Sequence, residues 1–152
     1  MTTVERVIKT TPQRVWDVLA DGWLYPLWVV GATRMREVDQ DWPAVGSRIH
    51  HSVGVWPAAL DDDTEVVASE SQHRLELQAR GWPFFGEARV VLELEPVSDG
   101  TRVRMAEDAV TGPGKLVPSP LRQPLLTWRN VESLRRLAFI VEGRTAKSVL
   151  VD

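Results

Sequence analysis

The chain has 152 residues, 18 Lys and Arg against 21 Asp and Glu, and a formal net charge of −3. A single domain of this size buries roughly 70% of the surface its unfolded chain exposes, so it needs neither disulfide nor metal to hold a core. Its slightly acidic balance offers no basic field to a phosphate backbone, which argues against nucleic acid as a partner. The absence of cysteine excludes thiol catalysis, thiolate metal sites and disulfides.

The amino terminus lacks a basic region followed by an apolar run, and the longest nearly apolar segment, Trp23 to Ala32, is short and holds Pro26. A cytoplasmic protein without a membrane span is expected. In the first element Val4, Arg6 and Ile8 alternate with Glu5, Val7 and Lys9, an imperfect strand that ends at Thr10-Thr11-Pro12. A short helix begins there, with Thr11 as cap, Pro12 in the first turn, Val15, Val18 and Leu19 as an apolar stripe and Gly22 as the stop. Trp16 follows the stripe and is expected in the core. Next, the stretch DGWLYPLW gathers Trp23, Tyr25 and Trp28 around Pro26. Proline lacks a backbone donor and clashes with the preceding turn, so this is an interrupted segment whose aromatics either plug the core or wall a cavity.

From Thr33 to Val110 six strand-like runs follow, TRMREVDQ, SRIHHSVGVW, TEVVASES, HRLELQAR, GEARVVLELEP and TRVRMAEDAV, separated by Pro, Gly and Asp clusters. Asp61-Asp62-Asp63 reads as a solvated turn, because it lacks the glycine and distal glutamate of a calcium loop. His50 and His51 are neighbours on a strand and point to opposite faces, so they cannot share a metal in ordinary geometry. Neither metal nor cofactor is expected. One hairpin can be placed in register: pairing Leu94 with Val103 across Ser98-Asp99-Gly100 sets Met105 opposite Leu92 and Glu107 opposite Val90. Glu107 then falls on the apolar face, and the same parity turns Ile49, His51, Val53 and Val55 inward.

Beyond Pro118-Ser119-Pro120 comes one long helical pattern, starting at Pro120 or Pro124, with Thr127, Val131, Leu134, Ala138 and Val141 on one face and Gly143 past its end. The order strand, short helices, six strands, long helix specifies an α+β protein: a curved antiparallel sheet of about seven strands wrapped around the C-terminal helix, with two short helices after the first strand and one domain over residues 1–152. There is no GxSxG elbow, no GxxxxGK[ST] loop and no GxGxxG fingerprint.

The blocks WDVLADGWLYPLWVVGATR, DWPAVGSRIHHSVGVWP, GTRVRMAEDAVTGPG and RNVESLRRL, in this order and over nearly the whole chain, resemble the SRPBCC, or START-like, superfamily. Within it they are most similar to bacterial proteins of the polyketide cyclase/dehydrase and lipid-transport type. The resemblance implies a helix-grip fold enclosing a hydrophobic pocket, and a superfamily that mixes aromatase/cyclases, lipid carriers and binders. No catalytic motif of that superfamily is matched residue by residue.

The expected function is binding of a hydrophobic or aromatic small molecule, lipid- or polyketide-like, between sheet and C-terminal helix. The alternatives are a cyclase/aromatase-type enzyme using Glu107 and His51 as acid and base, and a non-binding interaction domain. Candidate lining residues are Trp23, Tyr25, Trp28, His51, Trp56, Phe84, Phe85, Met105, Glu107 and Trp128, since pockets are mostly apolar and aromatic with a few polar groups. A monomer or a homodimer fits the sequence equally.

Overall fold

The computed structural model describes the backbone of residues 2–53, 60–82, 86–112, 116 and 118–151. In chain order the elements are β1 (Thr2–Ile8), α1 (Pro12–Leu19), a 3₁₀ turn (Gly22–Leu24), α2 (Tyr25–Trp28), β2 (Ala32–Val38), β3 (Arg48–Val53), β4 (Leu60–Glu70), β5 (Arg74–Trp82), β6 (Gly86–Val97), β7 (Gly100–Ala109) and α3 (Ser119–Val151). Strands β2 to β7 form an antiparallel meander, and β1 pairs antiparallel with β7 at its far edge, giving the order β1-β7-β6-β5-β4-β3-β2. Register shifts in the β2–β3, β4–β5 and β5–β6 ladders bend the strands, as bulges do. α3 packs against β1, β7, α1 and α2, and Ile8, Leu77, Leu92 and Val103 of the sheet share one core with Leu134, Leu137 and Val141 of α3.

Local chemistry explains the amino-terminal half. The Thr11 hydroxyl accepts from the Arg14 N–H and Pro12 takes the first turn of α1, where a missing N–H costs nothing. Val15, Trp16, Val18 and Leu19 are buried as one face. The indole of Trp42 donates to the Leu19 carbonyl at 3.2 Å and satisfies the end of that helix. Gly22 does not stop α1, which ends at Leu19; it opens the 3₁₀ turn. A Cβ there would come within 2.7 Å of Val38 and 3.0 Å of Ile49, so glycine is what lets this turn lie against β2 and β3. In the β6–β7 turn, Gly100 adopts φ 146°, and a Cβ would stand 2.1 Å from the Ile8 carbonyl oxygen.

The hairpin register is the expected one, with Leu94 facing Val103, Leu92 facing Met105 and Val90 facing Glu107. Three further expectations are corrected. Asp61-Asp62-Asp63 is no turn: it lies within β4, where Ser52, His51 and His50 of β3 face it in turn, and the ladder supplies the backbone partners that a solvated turn would take from water. Asp62 is buried, continuing inward the parity of Thr64 and Val66. α3 starts at Ser119, holds Pro124 inside it and runs past Gly143 to Val151; Pro124 sits in the opening turns, where its cost is one hydrogen bond of a long ladder. The buried face of α3 is also rotated from the expected one. Leu134, Leu137, Ala138 and Val141 are buried, but so are Asn130 and Ser133, whereas Thr127 is exposed and Val131 half-exposed.

Candidate functional site

Two groups of polar side chains are buried on the inner face of the sheet. The first rests on β3 and β4. His51 and Asp62 are direct cross-strand partners, both buried. The His51 Nε2 lies 2.9 Å from the Thr64 hydroxyl, while its Nδ1 is buried without a partner among the described residues. The ring of Tyr25, carried over by α2, stacks on the His51 ring with centroids 5.3 Å apart and meets Trp28 edge-on at 5.4 Å.

Burial sets the protonation of this group. Desolvation, helped by Arg36, lowers His51 from 6.5 to about 4, and it lifts the Tyr25 phenol from 10.0 to about 12. Desolvation also raises Asp62 from 3.8 to about 7, against the hydrogen bond its Oδ1 accepts from the Asp63 N–H at 2.7 Å and the charge of Arg36. Near neutrality the group presents a neutral imidazole, a neutral phenol, a hydroxyl and a carboxyl poised between its two forms.

The second group joins β7 to α3. Glu107 is 3% exposed, and its Oε1 accepts a hydrogen bond from Arg129 Nη2 in an ion pair. Its Oε2 is buried without a partner among the described residues, as are both amide atoms of Asn130, one residue beyond Arg129 on α3. The next turn is tied down, since the Ser133 hydroxyl accepts from the Val30 N–H at 3.2 Å. Tyr25 feels the charges of Arg129, Glu107 and Asp62 together, which places its phenol between the two groups.

The sequence-derived candidates divide accordingly. Tyr25, Trp28, His51, Met105 and Glu107 are buried. His51 and Glu107 do not pair with each other: β4, β5 and β6 lie between their strands, and each has a partner of its own, Thr64 and Arg129. Trp23 and Trp128 are 56% and 64% exposed and line surface grooves of about 440 and 540 Å³, because both stand on the outer sides of their helical segments. Trp56, Phe84 and Phe85 lie outside the described residues. Sequence reading missed Asp62, Thr64, Arg129 and Asn130. The signals were there: Asp62 and Thr64 share the parity of Val66, and Asn130 stands one helical turn before Leu134.

The two shifted groups on β3 and β4 act on stability with opposite signs. Asp62 binds its proton more tightly folded than unfolded, so its contribution is present at low pH and is lost as pH rises from about 4 to about 7. His51 binds its proton less tightly folded, so its contribution is gained as pH rises from about 4 to 6.5. Asp62→Asn is therefore expected to leave a fold whose stability rises with pH across that window, and His51→Gln one whose stability falls, each by about 1–2 kcal/mol. Urea unfolding at a series of pH values measures both slopes; parallel slopes in the two variants would refute the assignment.

A curved antiparallel sheet gripping a long helix, with polar groups set into the covered face, defines a helix-grip protein of SRPBCC type. The sequence matches, over residues 1–142, the profile of the family described as polyketide cyclase/dehydrase and lipid transport, and the chain belongs to that family. Among solved structures it is similar to a Rhodobacter sphaeroides protein, with 26% identity, TM-score 0.70 and 93% of each chain covered. It is also similar to Ara h 8.0201, with 12% identity, TM-score 0.72, and 93% of this chain and 96% of that one covered. DynU16, a protein of the dynemicin biosynthetic locus, is 19% identical with TM-score 0.65, the match covering 93% of this chain and 46% of that one. No curated protein gives a significant match. No helix among the described residues is long and apolar enough to cross a membrane.

Proposed function

We propose that this protein binds a hydrophobic or aromatic small molecule, lipid- or polyketide-like, that carries a few hydrogen-bonding groups and lies between the sheet and α3. The observation that supports this reading is the set of buried polar atoms without a partner among the described residues: His51 Nδ1, Glu107 Oε2 and the Asn130 amide. A buried polar group without a partner costs about 1–3 kcal/mol, and a fold that keeps several in its interior suits a molecule that satisfies them. The described residues contribute an imidazole, a carboxylate and an amide as contacts, with Tyr25 and Met105 beside them. The family description, with its cyclases and lipid transport, supports the same class of ligand.

A second reading, proton-transfer chemistry of the cyclase type, is favoured by one feature. Asp62, held near 7 beside a neutral His51, can both give and take a proton at neutral pH, as a general acid–base requires.

Asn130 gives a direct test, because binding and stability move in opposite directions there. Asn130→Leu removes two unsatisfied atoms while keeping the branched shape and the number of heavy atoms, so its melting temperature should equal or exceed that of the wild type. Its affinity for 1-naphthol, read from saturable quenching of tryptophan emission, should fall about fivefold or more. A wild type without saturable quenching, or an Asn130→Leu that melts earlier and binds unchanged, would sink the proposal. Native mass spectrometry of freshly purified protein then identifies any retained molecule.

A further inference from the structure

The outward side of α3 repeats as regularly as its buried side. Leu121, Leu125, Trp128, Glu132, Arg135, Phe139, Glu142 and Ala146 follow one another at alternating steps of four and three, the spacing of a seam between two helices. They lie opposite Asn130, Leu134, Leu137 and Val141, which the sheet buries. Leu121, Leu125 and Phe139 are 71%, 68% and 79% exposed, an unusual display of large apolar side chains on one helix edge. Nothing in the proposed ligand site uses them.

The order of residues along this seam is self-complementary. About the point midway between Ser133 and Leu134, each residue has a counterpart at equal distance on the other side: Glu132 with Arg135, Trp128 with Phe139, Leu125 with Glu142, and Leu121 with Ala146. Opposite charges match at the centre, aromatic meets aromatic next, and at the ends Leu121 meets the small Ala146 while Leu125 meets Glu142 beside Gly143. Gly143, beside Glu142, has nothing within 4 Å of an added Cβ, so it leaves room for a leucine from outside. A groove of about 540 Å³ lined by Pro120, Pro124, Thr127 and Trp128 runs beside the seam where a phenylalanine would arrive.

From this pattern we infer that α3 is a homodimer interface, with two copies packed antiparallel through this edge about a two-fold axis. Such a contact is isologous, residue i meeting j while j meets i. A parallel pairing is disfavoured, because it would set Glu132 against Glu132 and Arg135 against Arg135. In the single chain the Glu132 carboxylate already binds Arg135 at 2.8 Å and Arg136 at 3.1 Å; across the axis it reaches the same two arginines of the second copy. A polar pair at the centre of an apolar seam fixes register and orientation. The contact runs for about 38 Å of helix and buries on the order of 1,000 Å² in all, the size at which specific interfaces begin.

Sedimentation velocity over a range of concentrations tests this. The wild type should reach twice the 17.1 kDa chain mass. Phe139→Asp should weaken the dimer about a hundredfold or more, since each interface carries two copies of the change, and should melt like the wild type diluted to its monomer, because Phe139 is exposed in the single chain. Glu132→Arg should also dissociate it, and Glu132→Arg with Arg135→Glu should restore it. A wild type that stays at the chain mass at every concentration overturns the inference, including one whose α3 edge binds anionic phosphatidylglycerol vesicles instead. So does a dimer that survives both single substitutions. The proposed ligand site stands apart from these outcomes, because 1-naphthol binding by a monomeric Phe139→Asp variant is read independently.

Discussion

Arg129→Leu is expected to lower the stability of the fold by about 3 kcal/mol at neutral pH, and Glu107→Leu combined with Arg129→Leu to recover most of that loss. The reason is the asymmetry of the pair. Glu107 has 4% of its side chain exposed and Arg129 has 32%, so deleting the arginine strands a carboxylate on the covered face, whereas deleting the carboxylate leaves a cation that still reaches water. Breaking a fully buried pair costs about 3–5 kcal/mol, and replacing both members with packed apolar groups is often neutral; partial exposure of Arg129 places the effect at the low end of that range. Glu107→Gln, which keeps the volume, should cost about 1 kcal/mol. For a chain of this length the loss in Arg129→Leu corresponds to a fall of about 10 °C in melting temperature. Urea and thermal unfolding of the wild type, these three variants and Glu107→Leu alone give the coupling directly, and a double variant no more stable than Arg129→Leu would show that the stranded carboxylate is not the cause.

The same pair shows what a sequence can and cannot disclose. The inward placement of Glu107 follows from period-two alternation and a hairpin turn, both local, and the register anticipated from Leu94 and Val103 is the one observed. Its partner is not local. Arg129 comes from a helix more than twenty residues on, and the helical pattern was phased on Thr127 and Val131, which turned the buried face toward the wrong residues. The apolar periodicity of α3 is ambiguous because the helix has two apolar sides, Leu134, Leu137, Ala138 and Val141 inward and Leu121, Leu125, Trp128 and Phe139 outward. Asn130 and Ser133 were invisible to a search for apolar positions for the same reason that they matter: they are polar groups placed inside. Asp62 was obscured by composition, since three consecutive aspartates read as a solvated turn until the ladder with β3 is seen. Aromatic content did not separate the exposed Trp23 and Trp128 from the buried Tyr25 and Trp28, because a large ring says nothing about which side of a helix it stands on.

Trp28→Ala is expected to have the other large effect, and it answers what the aromatics of the interrupted segment are for. Trp28 is 2% exposed and belongs to the main apolar core, and its ring meets Tyr25 edge-on at 5.4 Å. Truncating a buried tryptophan costs about 3–5 kcal/mol through lost transfer energy and the cavity left behind, a large part of the 5–15 kcal/mol that holds a typical domain together. The second consequence runs along a chain of contacts. Trp28 braces Tyr25, Tyr25 covers His51 by stacking at 5.3 Å, and desolvation is the main cause that lowers His51 to about 4. Without the brace, water reaches the imidazole, and its titration, followed by NMR at a temperature where the variant stays folded, should move up toward 6.5. Trp28→Phe, which keeps an aromatic edge against Tyr25, should leave His51 low and lose less stability. The residue acts as a positioning group: it holds the ring that separates His51 from solvent and, through Tyr25, links the β3–β4 group to Glu107 and Arg129. If His51 still titrates near 4 in Trp28→Ala while stability falls, Trp28 is packing alone and the orientation of Tyr25 is set by α2 and by its side-chain hydrogen bond with Thr64.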